Sequence, residues 1–224
     1  METVIVEAYG LKYVVDRATK FIVEESYEPY MKDVVKLKHG YVFVDVGAHV
    51  GKYSFYASKQ VGDSGLVIAI EPHPKNAENL RKGIKLNSLT NIKVIEKACS
   101  NYSGKGFLIE HKISAKCELG KKPTKIEVNV DTLDNVLKSL HVEKVDMIKI
   151  DVEGCEYEVL QGAYKTLKRF KPPMMVEVIL NNKQRVFKYL EEIEYKPRPI
   201  YKQKRYWDVL FKEKQTSAPN QKKI

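Results

Sequence analysis

One stretch near residue 45 combines an acid and two glycines at a spacing suited to ligand binding. The apolar run over residues 41–46 predicts a buried strand of a parallel sheet, with Asp45 near its carboxyl end. Gly47 and Gly51 bracket a tight turn, and helical spacing begins at Tyr53. Glycine lets the backbone approach a ligand closely, and a helix start offers free N–H groups. The stretch therefore predicts a nucleotide-type pocket.

The same residues narrow the kind of ligand. No Gly-Lys-Ser/Thr follows, which argues against a triphosphate, and the Gly47–Gly51 spacing does not fit the usual dinucleotide fingerprint. Asp45 would repel a pyrophosphate but suits a cationic or zwitterionic ligand such as S-adenosylmethionine (SAM). A second apolar run ends in Glu71, which is placed to accept hydrogen bonds from both ribose hydroxyls. A generic α/β turn followed by a capping acid is the alternative interpretation.

A third group of polar residues predicts catalysis. The run 144–151 reads as a strand in which Lys149 and Asp151 share a face, and a buried lysine is costly unless it is paired. Glu153 follows directly, and Glu177 lies in a further predicted strand, 174–179, facing the same end of the sheet. An acid-rich helix start would explain Glu156 but not Asp151. Asp151, Glu153, Lys149 and Glu177 are therefore the catalytic candidates.

Four motifs together resemble the FkbM family of SAM-dependent methyltransferases. They are Val44-Asp-Val-Gly-Ala-His-Val-Gly51, Ala69-Ile-Glu-Pro-His-Pro74, Asn129-Val-Asp-Thr-Leu-Asp134 and Ile148-Lys-Ile-Asp-Val-Glu-Gly-Cys-Glu156. The resemblance extends over roughly residues 40 to 180, and His49 departs from it because the family more often carries Asn there. It implies a class I methyltransferase fold that binds SAM, and usually O-methylation of sugars, glycans or other small hydroxylated metabolites.

The predicted SAM-binding residues lie at the ends of successive strands. Ala98 and Cys99 follow a third predicted strand, residues 91–96, at the position where class I methyltransferases bind the adenine through the backbone. The full predicted set is Asp45, Gly47, Ala48, His49, Gly51, Tyr53, Ser54, Glu71, Pro72, Ala98, Cys99 and Asp151.

The predicted fold class is α/β: a Rossmann-like class I methyltransferase. It has a mostly parallel seven-stranded sheet, helices on both faces and a C-terminal antiparallel hairpin, 196–201 with 206–211. The predicted domain is 40–212, with a hairpin and helix (24–37) in residues 1–39 and a polar tail over 213–224. The N-terminal segment could form one wall of the site through Tyr27, Glu28 and Tyr30. Simple packing of these aromatics against the sheet is the alternative.

Residues 111–125 are polar and carry five lysines. Such a long loop is usually functional or disordered, so it predicts either a substrate-facing lid that favours an anionic acceptor or a solvated excursion. His111 at its start is a further candidate base.

The chain is basic, with a formal net charge of +10. From residue 181 onward, twelve Lys or Arg stand against five Asp or Glu. Such a surface could attract RNA, an anionic membrane or an acidic substrate, or it could simply be well solvated. No apolar run could span a bilayer, and no signal pattern begins the chain, so a cytoplasmic enzyme is expected. Three cysteines argue against a disulfide framework or a zinc site.

The expected reaction is O-methylation, for which the enzyme must orient a hydroxyl and accept its proton. Asp151 and Glu153 are the favoured bases. A divalent metal held by Asp151 and a neighbouring acid is an alternative, although the sequence has no dense ligand cluster and predicts no metal residues. An RNA methyltransferase, or a nucleic-acid-binding protein of the same fold, is the second hypothesis. The absence of an Asn/Asp-Pro-Pro-Tyr stretch argues against adenine N-methylation.

Overall fold

A computed structural model describes residues 2–110, 115–116 and 126–214. In chain order the strands are β1 Thr3–Ala8, β2 Leu11–Asp16, β3 Val42–Val46, β4 Leu66–Ile70, β5 Ile92–Ile95, β6 Ala98–Cys99, β7 Gly104–Glu110, β8 Ala115–Lys116, β9 Ile126–Asp131, β10 Met147–Ile150, β11 Met174–Ile179, β12 Tyr195–Lys202 and β13 Tyr206–Glu213. The α-helices are α1 Met31–Val34, α2 Lys52–Val61, α3 Pro74–Leu86, α4 Leu133–Ser139, α5 Glu156–Gly162, α6 Tyr164–Phe170 and α7 Lys183–Glu192.

A seven-stranded sheet forms the centre, in the order β12-β13-β11-β10-β3-β4-β5. The strands from β11 to β5 run parallel, while β13 is antiparallel to both β11 and β12. The predicted mostly parallel sheet with a C-terminal antiparallel hairpin is therefore confirmed. Because β10 and β4 flank β3, the carboxyl ends of these three strands meet at one edge of the sheet, where open α/β sheets bind ligands.

Helices cover both faces of the sheet. Val44 and Ile148 pack into the core beneath α4 to α7, whereas Phe43 and Met147 pack with Tyr53, Ala57 and Val61 of α2 on the opposite face. The alternation follows from the period of two along a strand. Among the described residues, no helix is long and apolar enough to cross a membrane.

The N-terminal segment differs from its prediction. The hairpin of β1 and β2 forms across Tyr9 and Gly10 as expected. The helix predicted over 24–37 is wrong, because only α1, four residues long, forms there, preceded by a 3-10 helix at Arg17–Val23. Glu28 has a φ of +53° and is followed by Pro29, and the residue before a proline is disfavoured in helical geometry.

A second, smaller sheet also forms; the sequence predicts strands over 105–110 and 125–130, but not their pairing into a separate sheet. Strand β9 pairs with β6 on one side and with β7 on the other, and β7 also pairs with β8. The sequence predicts a single helix over residues 157–169, and this prediction is wrong, because the segment divides into α5 and α6 at Ala163. A Cβ on Gly162 would lie 2.0 Å from the carbonyl oxygen of Ser100, so the chain passes close to this sheet at that point.

Candidate functional site

A cavity of about 320 Å³ opens at the carboxyl ends of β3, β4 and β10. The turns at the strand ends line this cavity, and the N-terminal segment contributes Phe21, Ile22, Tyr27 and Glu28 to the lining. The predicted wall is therefore present at Tyr27 and Glu28. Tyr30 is not part of the lining, and its hydroxyl donates instead to Asp208 at 2.6 Å.

The glycine turn after β3 is shaped by a close approach of two strand ends. Gly47 has a φ of +80°, and a Cβ there would lie 1.8 Å from the carbonyl oxygen of Asp151. No side chain fits at that position. His49 also has a positive φ, +52°, and its backbone N–H donates to Glu71 Oε2 at 2.8 Å. The turn thus joins the ends of β3, β4 and β10.

Glu71 is buried at the end of β4, and its carboxylate lines the cavity. It accepts hydrogen bonds from the backbone of His49 and of His73 (2.9 Å) and from the Asn76 side chain (3.3 Å). Burial raises the pKa of Glu71, while these hydrogen bonds act in the opposite direction. Burial also lowers the pKa of His49 to about 4, so its imidazole is neutral at pH 7.

Lys149 is buried between two carboxylates. Its Nζ lies 3.1 Å from Asp151 Oδ2, 3.7 Å from Asp45 Oδ1 and 3.2 Å from the Gly47 carbonyl oxygen. Burial alone would lower the pKa of this ammonium, but Asp151, Asp45 and Glu28 outweigh burial and the pKa is raised. The predicted pairing of Lys149 with Asp151 is therefore present, and the lysine carries a charge.

Asp45 faces the interior rather than the cavity. It is fully buried, is not part of the lining, and accepts a hydrogen bond of 2.6 Å from the Ser54 hydroxyl. Burial raises the pKa of Asp45. In this arrangement Asp45 and Ser54 hold Lys149, which in turn orients Asp151.

Three acids lie together beside Lys149. One carboxylate oxygen from each of Asp151, Glu153 and Glu177 lies within 4.8 Å of the others. Asp151 and Glu153 line the cavity, whereas Glu177 is buried behind them in β11, opposite Asp208 of β13. Burial, then Asp151, Asp208 and Glu153, raise the pKa of Glu177 to about 11, and burial raises that of Asp208 to about 7.

A second buried pair lines the cavity on the side of the N-terminal segment. Lys52 Nζ lies 3.5 Å from Glu28 Oε2 and donates to the carbonyl oxygen of Tyr27. Burial lowers the pKa of Lys52 and raises that of Glu28. The first residue of α2 thereby fastens the N-terminal segment over the strand ends.

Most of the predicted residues meet at this cavity. Those that line it are Gly47, Ala48, His49, Tyr53, Glu71, Pro72, Ala98, Cys99, Lys149, Asp151 and Glu153. Asp45, Gly51, Ser54 and Glu177 lie outside the lining. His111 and most of the predicted loop 111–125 fall outside the described residues. Whether each lining residue contacts a cofactor stays a prediction.

Several lining residues were missed by the sequence analysis. Lys52, Asn76, Lys97 and Leu108 line the cavity together with Phe21 and Ile22. Lys52 carried a usable signal, because it directly follows Gly51 at the helix start. Asn76 lies in the first turn of α3, whereas Phe21, Ile22, Lys97 and Leu108 come from segments whose position depends on the fold of the N-terminal segment and of the second sheet.

The strand order, with its antiparallel last strand, and the acid-ended turns around one cavity define a class I methyltransferase fold. Within that class, the chain belongs to the methyltransferase FkbM domain family, which matches residues 45–197.

Individual relatives agree with this placement. The methyltransferase sdnD of Sordaria araneosa is 25% identical over 180 residues, which are 64% of this chain and 68% of sdnD. The structure of methyltransferase FkbM from Methylobacillus flagellatus aligns with a TM-score of 0.60 at 19% identity, covering 80% of this chain and 45% of that one. This chain therefore spans about half the length of that protein. TYW2 of M. jannaschii, solved with AdoMet, aligns with a TM-score of 0.56 at 19% identity, covering 94% of this chain and 86% of that one.

The cavity fits SAM, the cofactor of this family. A buried carboxylate, Glu71, stands at the end of β4, and the apolar Ile70, Ala98, Cys99 and Leu108 line the neighbouring part of the cavity. His49 Nδ1 is buried without a hydrogen-bond partner in the described chain, so it remains available to a ligand. Glu71 would hold the ribose, and the apolar residues would enclose the adenine.

Proposed function

We propose that this protein transfers a methyl group from SAM to a hydroxyl oxygen of a sugar, glycan or other small metabolite. The observation that carries the proposal is that Asp151 and Glu153 line the same cavity as Glu71. The candidate bases and the acid that is predicted to bind the ribose therefore line the same cavity. The sulfonium of SAM, once bound, supplies an already activated methyl group.

The protein's own part is to orient the hydroxyl and take its proton. The Lys149 ammonium, 3.1 Å away, orients the Asp151 carboxylate. The Lys52–Glu28 pair and Tyr27 line the cavity on the side of the N-terminal segment. Asp151 or Glu153 accepts the proton, unless a divalent cation held by the same acids makes the hydroxyl acidic.

The acceptor we favour is uncharged. An anionic acceptor was one expectation, based on the lysines of residues 111–125, which lie mostly outside the described residues. The described cavity carries Glu28, Glu71, Asp151 and Glu153 against Lys52, Lys97 and Lys149. Lys149 and Lys52 are engaged by Asp45, Asp151 and Glu28, and Lys97 pairs with Asp131 at 2.8 Å. A phosphate would therefore meet carboxylates without a free cation among these three lysines.

The first test is calorimetric titration with SAM of the wild type, Glu71→Gln and, as a matched control, Glu78→Gln. Glu78 lies on the exposed side of α3, and within the part of the chain that the structure describes its ion pairs are with Lys75 and Lys82. We expect Glu71→Gln to weaken SAM binding at least about tenfold, because a charged acceptor for hydroxyls is lost, and Glu78→Gln to match the wild type. Failure of folded wild-type protein to bind SAM would refute the proposal.

The second test identifies the acceptor class with radiolabelled SAM. Neutral sugars, amino sugars, sugar phosphates and total RNA would be offered separately to the wild type and to Asp151→Asn. Label on a neutral sugar that is lost in the variant supports the proposal, whereas label only on RNA would replace it.

An RNA methyltransferase is the second candidate. The observation that favours it is the hairpin of β12 and β13, which exposes six basic side chains: Lys196, Arg198, Lys202, Lys204, Arg205 and Lys212. Such a patch could hold phosphates. The cytoplasmic location expected from the sequence remains a prediction under either candidate.

A further inference from the structure

We infer that Asp151, Glu153 and Glu177 form a binding site for one divalent cation, of the magnesium or manganese class. This inference rests on the proposed function, since the cation would act on the acceptor hydroxyl of the same cavity. Its first support is geometric. One oxygen of each of the three carboxylates lies within 4.8 Å of the others, a spacing that a single cation at about 2.1–2.4 Å from each oxygen can bridge.

The second support is the state of Glu177. Its side chain is 8% exposed. Among the described residues it makes neither a hydrogen bond nor an ion pair, although its carboxylate points into the cluster. A buried carboxylate without a partner is costly, so such groups are normally paired or bound to a metal. An acid retained in the middle of a core strand, without a partner in the described chain, therefore indicates a ligand that the protein itself does not supply.

Among the described residues, the nearby lysines do not form an ion pair with Glu177. Lys149 forms its ion pairs with Asp45 and Asp151, and Lys52 forms its pair with Glu28. Asp208, opposite Glu177 in the sheet, adds another buried acid and accepts a hydrogen bond from Tyr30. The region beside Glu177 thus holds more carboxylates than cations.

The ligand set selects the kind of cation. Carboxylate oxygens alone suit magnesium, manganese or calcium rather than zinc or copper. Three protein ligands leave about three positions of an octahedral ion for water and the acceptor. Because Asp151 and Glu153 line the cavity and Glu177 stands behind them, the open positions face the cavity.

In this arrangement the cation lowers the pKa of an acceptor hydroxyl that reaches it, so the hydroxyl proton leaves to solvent. The oxygen then forms a bond to the methyl carbon while the carbon–sulfur bond of SAM breaks. Sulfur keeps the electron pair and becomes a neutral thioether. No oxidant or reductant is required.

The experiment uses manganese alone as the probe, with binding followed by electron paramagnetic resonance and by calorimetry. The proteins are the wild type, Glu177→Gln, Glu153→Gln and the control Asp63→Asn, which replaces an exposed acid far along the chain from the cluster. Glu177→Gln preserves the shape of the side chain while removing the carboxyl group that would ionise to bind the cation. Glu153→Gln tests the same site at a half-buried position, in case the core variant does not fold.

We expect one manganese ion per wild-type chain, at least about tenfold weaker binding in both cluster variants, and wild-type binding in Asp63→Asn. Magnesium should displace the manganese signal. Folded wild type that binds no manganese, or binding equally tight in the cluster variants, would overturn the inference. Titration with SAM in EDTA separates the two proposals. If the protein binds SAM but not manganese, the cation site is refuted and the proposed function is unaffected.

Discussion

Lys149 is the residue on which the site's electrostatics depend. It is 5% exposed and stands between Asp45 and Asp151. Burying an ion pair returns little net stability, but removing one partner leaves an uncompensated buried charge. The lysine therefore acts less as a source of stability than as the group that keeps two acids in place, one behind the cavity and one within it.

Replacing Lys149 with Met should lower the free energy of unfolding by about 3–5 kcal/mol, because Asp45 and Asp151 lose their shared cation. Adding Asp45→Asn to that variant should restore part of the loss, because one of the two stranded charges is removed. Urea denaturation of the single and double variants measures both effects. Lys36→Met, at an exposed lysine, serves as the control. Additive losses in the double variant would contradict this account.

At the scale of elements, the turn after β3 is set by backbone contact. Gly47 needs a positive φ and also lies against Asp151. Gly10 has a φ of +68°, but a Cβ added there would have no other atom within 4 Å. A comparison of substitutions at these two glycines therefore separates the energetic cost of conformational strain from that of steric overlap.

Gly10→Ala should cost about 1–2 kcal/mol, the strain of a left-handed residue with a side chain. Gly47→Ala should cost clearly more and should also weaken SAM binding, because the ends of β3 and β10 must move apart to make room for the added Cβ. Thermal unfolding and SAM titration of both variants provide the comparison. Equal losses in the two would show that the close approach is unimportant.

Asp131 connects the second sheet to α4. It accepts hydrogen bonds from Ser103 at 2.7 Å, from Asn135 at 3.1 Å and from the Thr132 backbone at 2.9 Å, and it pairs with Lys97 at 2.8 Å. Burial would raise the pKa of Asp131, but these contacts outweigh it and lower the pKa from 3.8 to about 2.

Since the folded-state pKa of Asp131 is depressed, its stabilisation is present above pH 3.8 and is lost as the pH falls through about 2. Asp131→Asn should therefore cost about 1–2 kcal/mol at pH 7, and the gap from the wild type should close as the pH approaches 2. Unfolding curves at a series of pH values test this, with Asp63→Asn as the control. A gap that is independent of pH would refute the assignment.

The elements also show how far the sequence can be read. The predicted strands of the central sheet agree with β3, β4, β5, β10 and β11, because long apolar runs bounded by glycine or proline leave few alternatives. The prediction of a helix over 24–37 is wrong. The apolar residues there have helical spacing, but Glu28, which has a positive φ, and Pro29 interrupt the helical backbone. Helix α5 ends at its C-cap Ala163, next to the close approach of Gly162 to the carbonyl oxygen of Ser100, which no local pattern reveals.

The same limit applies to the site. Strand ends located Glu71, Asp151 and Glu153 at the cavity, because strand termini share one edge of the sheet. The burial of Asp45 behind the cavity could not be predicted, because it depends on the position of Lys149 in the neighbouring strand. Likewise, the distance between Glu177 and Asp151 follows from the β10–β11 register, which only the folded sheet defines.

Across the whole molecule, charge is divided between two regions. Carboxylates gather at the cavity and behind it, at Glu28, Asp151, Glu153, Glu177 and Asp208, while the β12–β13 hairpin is basic and exposed. A polyanion could bind the hairpin through its phosphates but would be repelled by the carboxylates of the cavity. This division is why we favour an uncharged small acceptor despite the net charge of +10.

The division can be tested with a variant in which Lys196, Arg198 and Lys204 are all changed to Gln. These side chains are exposed, so the protein should fold normally. We expect wild-type binding to single-stranded RNA to be weak and to fall steeply with salt, and the triple variant to show a shallower slope, by about 0.7 per lost phosphate contact. SAM titration should be unchanged, and neither protein should transfer label to RNA. Transfer to RNA that the triple variant abolishes would instead make the hairpin the acceptor-binding surface of an RNA methyltransferase.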